Sequence, residues 1–154
     1  MPHAVMSFGN QNAIVRVLIS SRDTGGDYTG CEVQLTGSID IPLHAHRYED
    51  QWYLVLEGHF QFQIGEDVID GGPGTSVAVR NGGLFGIASA QPGKLLVIAR
   101  PGGLDLFFAD AHAAQTSSSK PESWLPVLEK HGIVLGAGPE TKGCDKIATY
   151  DVMR

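Results

Sequence analysis

Gly37-Ser38-Ile39-Asp40-Ile41-Pro42-Leu43-His44-Ala45-His46-Arg47-Tyr48-Glu49-Asp50-Gln51-Trp52-Tyr53-Leu54-Val55-Leu56-Glu57-Gly58 runs from a glycine, through a His-x-His pair, into an aromatic and aliphatic segment that ends at a second glycine. In an extended strand, residues two apart project to the same face, so His44 and His46 present both imidazoles to one point while Leu43 and Ala45 face away. The same parity places Gln51, Tyr53 and Val55 on one face of the following strand. A His-x-His pair alone is weakly specific, since two strand histidines are often plain surface groups; the flanking residues give it weight.

Outward from that stretch the chain alternates. Segments 13–19, 31–35, 52–57, 59–64, 76–79, 84–88 and 94–99 read as strands, separated by turn formers such as Asp23-Thr24-Gly25-Gly26-Asp27 and Gly71-Gly72-Pro73-Gly74. In the fourth of them apolar Phe60, Phe62 and Ile64 alternate with His59, Gln61 and Gln63, which predicts one buried and one wetter face. Several short strands at this spacing predict an antiparallel sandwich or barrel. After Pro101-Gly102-Gly103 the period changes. Leu104, Phe107, Phe108 and Ala111 predict a helix over 104–114, followed by a linker at Gln115-Thr116-Ser117-Ser118-Ser119. A second helix is expected over 122–130, with Ser119 as its cap and Gly132 as its stop.

The 154 residues suit one domain: a barrel at about 13–103, a helical extension at about 104–135 and a tail at 136–154. Hydrophobic residues make up 42% and charged residues 18%, enough for a real core and outside the disordered class. With 11 Lys plus Arg against 17 Asp plus Glu, the net charge of -6 argues against nucleic acid and anionic membrane as partners. No apolar run reaches the ~20 residues of a bilayer span, and Met-Pro-His-Ala does not open a signal peptide, so a cytoplasmic location is expected. Cys31 and Cys144 are too few for a disulfide framework. Gly71-Gly72-Pro73-Gly74 lacks the Gly-Lys-Ser/Thr ending of a phosphate loop, and Ser117-Ser118-Ser119 has no nucleophile-elbow context. His3, His59, His112 and His131 receive no role.

The stretch around His44 resembles the first motif of the cupin superfamily: glycine, spacer, His-x-His, three or four residues, glutamate, six residues, glycine. Four residues after His46 the glutamate position holds Gln51, and six residues further comes Gly58. The second motif, Gly-x5-Pro-x-Gly-x2-His-x3-Asn, can be laid on Gly74, Arg80, Gly82, Phe85 and Ser89, where only the two glycines agree. Asp23-Thr24-Gly25-Gly26, Arg100-Pro101-Gly102-Gly103 and Phe107-Phe108 are similar to small single-domain bacterial cupins of the quercetin-dioxygenase-like type, over roughly residues 13 to 135. The resemblance implies an all-β, antiparallel jelly-roll barrel with short C-terminal helices. It implies a site where three imidazoles and a carboxylate hold divalent Fe, Mn, Ni, Cu or Zn. Here His44 and His46 alone keep the family's ligands: Gln51 supplies a neutral amide, and Phe85 has no lone pair to give. Glu49 or Asp50 could replace the lost carboxylate if a bulge exchanged the faces of the strand.

Two site readings therefore stand. Without a metal or other cofactor, His44 and His46 act as acid, base or hydrogen-bond donors, aided by Gln51 and Tyr53. Val55, Phe60, Phe62, Phe85, Ile87 and Ser89 then furnish the wall of a mostly apolar small-molecule pocket, with core packing as the plain alternative for each aromatic. The leading reading is cyclisation or isomerisation of a polyketide-like or other secondary metabolite. The alternatives are a mononuclear dioxygenase with His44, His46 and Gln51 on a divalent transition metal, and a binding cupin without turnover. By analogy a homodimer is expected, with 13–19 as an edge strand that pairs with, or swaps into, a partner.

Overall fold

The computed structural model describes residues 5–8, 13–117, 124–136 and 152–153. In chain order the strands are β1 (Val5–Phe8), β2 (Ala13–Ile19), β3 (Thr29–Leu35), β4 (Ile39–His46), β5 (Asp50–Glu57), β6 (Phe60–Ile64), β7 (Asp67–Gly71), β8 (Ser76–Val79), β9 (Phe85–Ser89) and β10 (Gly93–Arg100). Helices α1 (Leu104–Ser117) and α2 (Leu125–Lys130) follow, then β11 (Ile133–Leu135) and β12 (Val152–Met153). Two antiparallel sheets result, one in the order β1-β2-β3-β10-β5-β8-β12 and one in the order β11-β4-β9-β6-β7. Their apolar faces meet in the jelly roll that the alternation predicts. Val15, Cys31, Val55, Val77 and Val97 from the larger sheet pack with Phe60, Phe62 and Phe85 from the smaller. Phe60 and Phe62 are completely buried while Gln61 and Gln63 between them are exposed.

Several boundaries differ from the sequence reading. β7 was not expected, because Asp-Val-Ile-Asp-Gly at a sheet edge half-buries only Ile69 among its apolar residues and so carries no alternation signal. The stretch Gln115 to Ser117 is the last turn of α1 rather than linker. α2 is described from Leu125, with Trp124 at its N-cap; the expected cap Ser119 and start at Glu122 lie outside the described residues. β2 is not an edge strand, since β1 pairs along it on one side and β3 on the other. Among the described residues no helix is long and apolar enough to cross a membrane.

The feature that positions the site is a bulge in β4. Ile41 pairs with Ile87, but the next registered pair is His44 with Phe85, so β4 spends one more residue than β9. Before the bulge the odd residues Ile39 and Ile41 pack against the core; after it the even residues His44 and His46 are buried. β11 pairs with β4 from His44 to His46 and covers that edge. On β9, Gly86 faces the bulge at short range. A Cβ there would stand 2.9 Å from the Ile41 carbonyl oxygen and 3.5 Å from the Leu43 nitrogen, too close for any side chain. Gly86→Ala is expected to lower stability by about 1–3 kcal/mol in chemical denaturation, because backbone rather than a flexible side chain must give way. An unchanged midpoint would show that the bulge is not tightly held.

Candidate functional site

β4 brings His44 and His46 side by side, both buried, with ring centroids 5.1 Å apart and planes at 65°. Each ring is held through Nδ1. His44 Nδ1 lies 2.8 Å from the carbonyl oxygen of Pro42, and His46 Nδ1 lies 3.0 Å from Glu49 Oε1. A carbonyl or carboxylate oxygen only accepts, so Nδ1 carries the proton in both rings, and a neutral ring then has its lone pair on Nε2. Burial, reinforced by neighbouring His46, pulls the pKa of His44 from its ordinary 6.5 down to about 4, against the opposing pull of the Pro42 and Phe85 carbonyls. At neutral pH His44 is an uncharged acceptor at Nε2.

β5 supplies the second row. Glu49 needs no bulge to reach inward, since it shares the parity of Gln51 and Tyr53, and it is buried against His46. Asp50 has the opposite parity and instead accepts from the Asn81 backbone N–H at 2.7 Å and its side-chain amide at 3.2 Å. Tyr53 donates its hydroxyl to Gln51 Oε1. Burial, and then the charge of Glu49, push the phenol well above the usual tyrosine range, so Tyr53 is a fixed donor and not a base. With its oxygen occupied, Gln51 has its buried Nε2 without a partner among the described residues, and a buried N–H group in that state calls for an acceptor. Phe85 backs the cluster, its ring 4.3 Å from His44, 5.9 Å from His46 and 5.7 Å from Tyr53.

His44, His46 and Tyr53 border a cavity of about 1030 Å³, in the range of small-molecule sites. Of the residues singled out in the sequence, His44, His46, Tyr53, Ile87 and Ser89 line it. Gln51, Val55, Phe60, Phe62 and Phe85 do not: they are almost completely buried, and the aromatic three fill the space between the sheets instead of walling the cavity. The Ser89 hydroxyl is committed to the carbonyls of His59 and Gln91 at 2.9 and 2.8 Å. Much of the wall comes from elements whose destination was not legible. Leu104, Phe107 and Phe108 of α1, Trp124 and Leu128 at α2, and Ile133 and Leu135 of β11 all line it. Asp105 seats the start of α1 by accepting from Ser21 N and Oγ at 3.0 Å and from Thr29 Oγ1 at 3.3 Å. Asp110 ties α1 to the end of α2 through Lys130 at 2.9 Å and His131 at 2.7 Å. His59, set aside for its outward parity, also lines the cavity and bonds Asp70 at the exposed margin.

Residues 32–99 match the family model described as the cupin domain. Those residues form a cupin-superfamily domain. Among proteins with curated descriptions, none matches the sequence significantly. Solved cupin-like structures similar to it include KdgF from a Halomonas species, with a TM-score of 0.60 and 15% identity, covering 68% of this chain and 91% of that one. An RmlC-like cupin from Shewanella frigidimarina has a TM-score of 0.59 and 18% identity, covering 67% and 87%. The polyketide cyclase RemF from Streptomyces resistomycificus has a TM-score of 0.54 and 22% identity, covering 63% and 72%. At these identities the likeness is one of fold, and one fold hosts many chemistries.

The metal that the cupin resemblance implies does not fit the donors of this domain. A cation at the two Nε2 atoms would meet two neutral imidazoles and a phenylalanine ring, while Glu49 is spent on His46 Nδ1 and the Gln51 oxygen on Tyr53. Among the described residues no three His, Cys, Asp or Glu side chains are placed to hold one metal ion together. A measurable consequence follows from His44. Its folded pKa is depressed, so its contribution is intact above about 6.5 and is lost as pH falls toward about 4, where the unfolded chain binds a proton that the folded one refuses. Between those limits wild type should lose on the order of 3 kcal/mol more than His44→Gln. Parallel pH–stability curves for the two would contradict the burial of a neutral ring.

Proposed function

We propose that this cupin binds an apolar, oxygenated small molecule and acts on it by proton transfer without a metal, as a cyclase or isomerase of a polyketide-like or other secondary metabolite. The observation that carries this reading is the pair of buried imidazoles fixed through Nδ1, His46 by a carboxylate and His44 by a carbonyl. A base needs a lone pair aimed by a fixed ring, and a carboxylate on the far nitrogen stabilises the imidazolium that forms. In this reading His46 Nε2 removes a proton from a carbon beside a carbonyl and returns it to another atom of the same molecule, with no net redox change. His44 accepts from a substrate hydroxyl. Tyr53, which lines the cavity, is oriented by the bond it donates to Gln51, buried behind it. The cavity wall keeps the substrate folded, which lowers the entropic part of the barrier. The fold shared with a polyketide cyclase supports the class by analogy only.

A second reading, a metal-dependent dioxygenase of the quercetin-dioxygenase type, draws on the same geometry, because metal-bound imidazoles also donate their distal N–H to an oxygen acceptor. Calorimetric titration of chelator-treated protein with Fe(II), Mn(II), Ni(II), Cu(II) and Zn(II) separates the two. Weak binding, with turnover of poly-β-ketone substrates unchanged by chelation, is expected; one tightly held ion per chain, required for turnover, would establish the second reading. Glu49→Gln should reduce product formation about 10²-fold or more while ligand affinity stays close to wild type. Full activity in that variant would remove the carboxylate from the mechanism.

A further inference from the structure

The cavity is apolar over most of its wall, with Phe107, Phe108 and Trp124 at the helical side. The carboxylates among its described lining residues are Asp40 and Asp70, both exposed at its margin, where Asp70 is bonded to His59. They belong to one cross-strand row of the smaller sheet. Asp40 pairs with Ala88, Ala88 with Gln61, and Gln61 with Asp70, so the two carboxylates stand at the ends of a four-residue row with Ala88 and Gln61 between them. Deeper in, a third carboxylate, Glu49, stands behind His46. An entering anion therefore meets like charge at the exposed margin, where salt screens it, and again at buried Glu49 beside the imidazoles.

Resting on the reading of the cavity as an apolar small-molecule site, we infer that its ligand is an uncharged, hydroxyl- or oxo-bearing ring compound, and that the Asp40 and Asp70 carboxylates select against sugar acids, nucleotides and free carboxylic acids of the same size. The chemistry agrees with the donor set. His44 Nε2 accepts from a hydroxyl, whereas a carboxylate would place its charge against an acceptor.

The test is a matched pair of probes, 9-anthracenemethanol and 9-anthracenecarboxylate, titrated by fluorescence into the full chain at neutral pH, in wild type and in Asp40→Asn/Asp70→Asn. The alcohol should bind and the acid should bind about tenfold more weakly or worse, with the gap narrowing in the double variant and at high salt. Asp40→Asn alone, at an exposed position, gives the same readout should the double variant fold poorly. Equal or tighter binding of the acid, or a gap that neither variant alters, would overturn the charge selection while leaving the apolar site intact through the alcohol. Failure of both probes to bind would instead remove the apolar-site reading and this inference with it.

Discussion

The site depends on one irregularity in hydrogen bonding. The extra residue of β4 between Ile41 and His44 changes which residues face the interior, and it leaves the Pro42 carbonyl within 2.8 Å of His44 Nδ1. A regular strand would keep Ile39 and Ile41 inward and send His44 and His46 to the other face, because side chains alternate with a period of two. The bulge thus lets one strand contribute apolar packing at one end and two imidazoles at the other. Gly86 makes room for it on β9, and β11 closes the outer edge along the same three residues that carry the His pair.

From that constraint the chemical division follows. His44 is anchored to a neutral carbonyl and buried, which keeps it uncharged, while His46 is anchored to the Glu49 carboxylate. Phe85 packs against both rings and Tyr53. Gln51, buried behind them, has its amide nitrogen without a partner among the described residues. The helices complete the enclosure from outside the sheets, and their attachment is polar at both ends, through Asp105 to the β2–β3 loop and through Asp110 to the end of α2.

Much of this was legible in the sequence. That His44 and His46 share one face follows from their spacing, β6 from the Phe60, Phe62, Ile64 alternation, and the jelly roll from the turn spacing and the cupin-like flanks. Glu49 could have been placed too, since it stands two residues before Gln51; looking for a bulge in β5 hid the simpler parity. The bulge in β4 left only an oblique trace, a proline just before the His pair. β7 and β11 are too short and too exposed to give a period. The helical face Leu104, Phe107, Phe108 was readable as amphipathic, but which surface it covers is a tertiary fact that no local pattern encodes. The same holds for Phe60, Phe62 and Phe85: inward parity is shared by core and cavity wall, and distance along the strand decides between them.

The central claim is that both imidazoles are protonated on Nδ1 and carry a free lone pair, not a metal, on Nε2. Nitrogen-15 NMR of histidine-labelled protein at neutral pH reads this directly. The account predicts a neutral Nδ1–H tautomer for His44 and a protonated Nδ1 for His46, with signals indifferent to added chelator. A His44 ring protonated on Nε2, or Nε2 signals that are shifted or broadened until a chelator restores them, would contradict it.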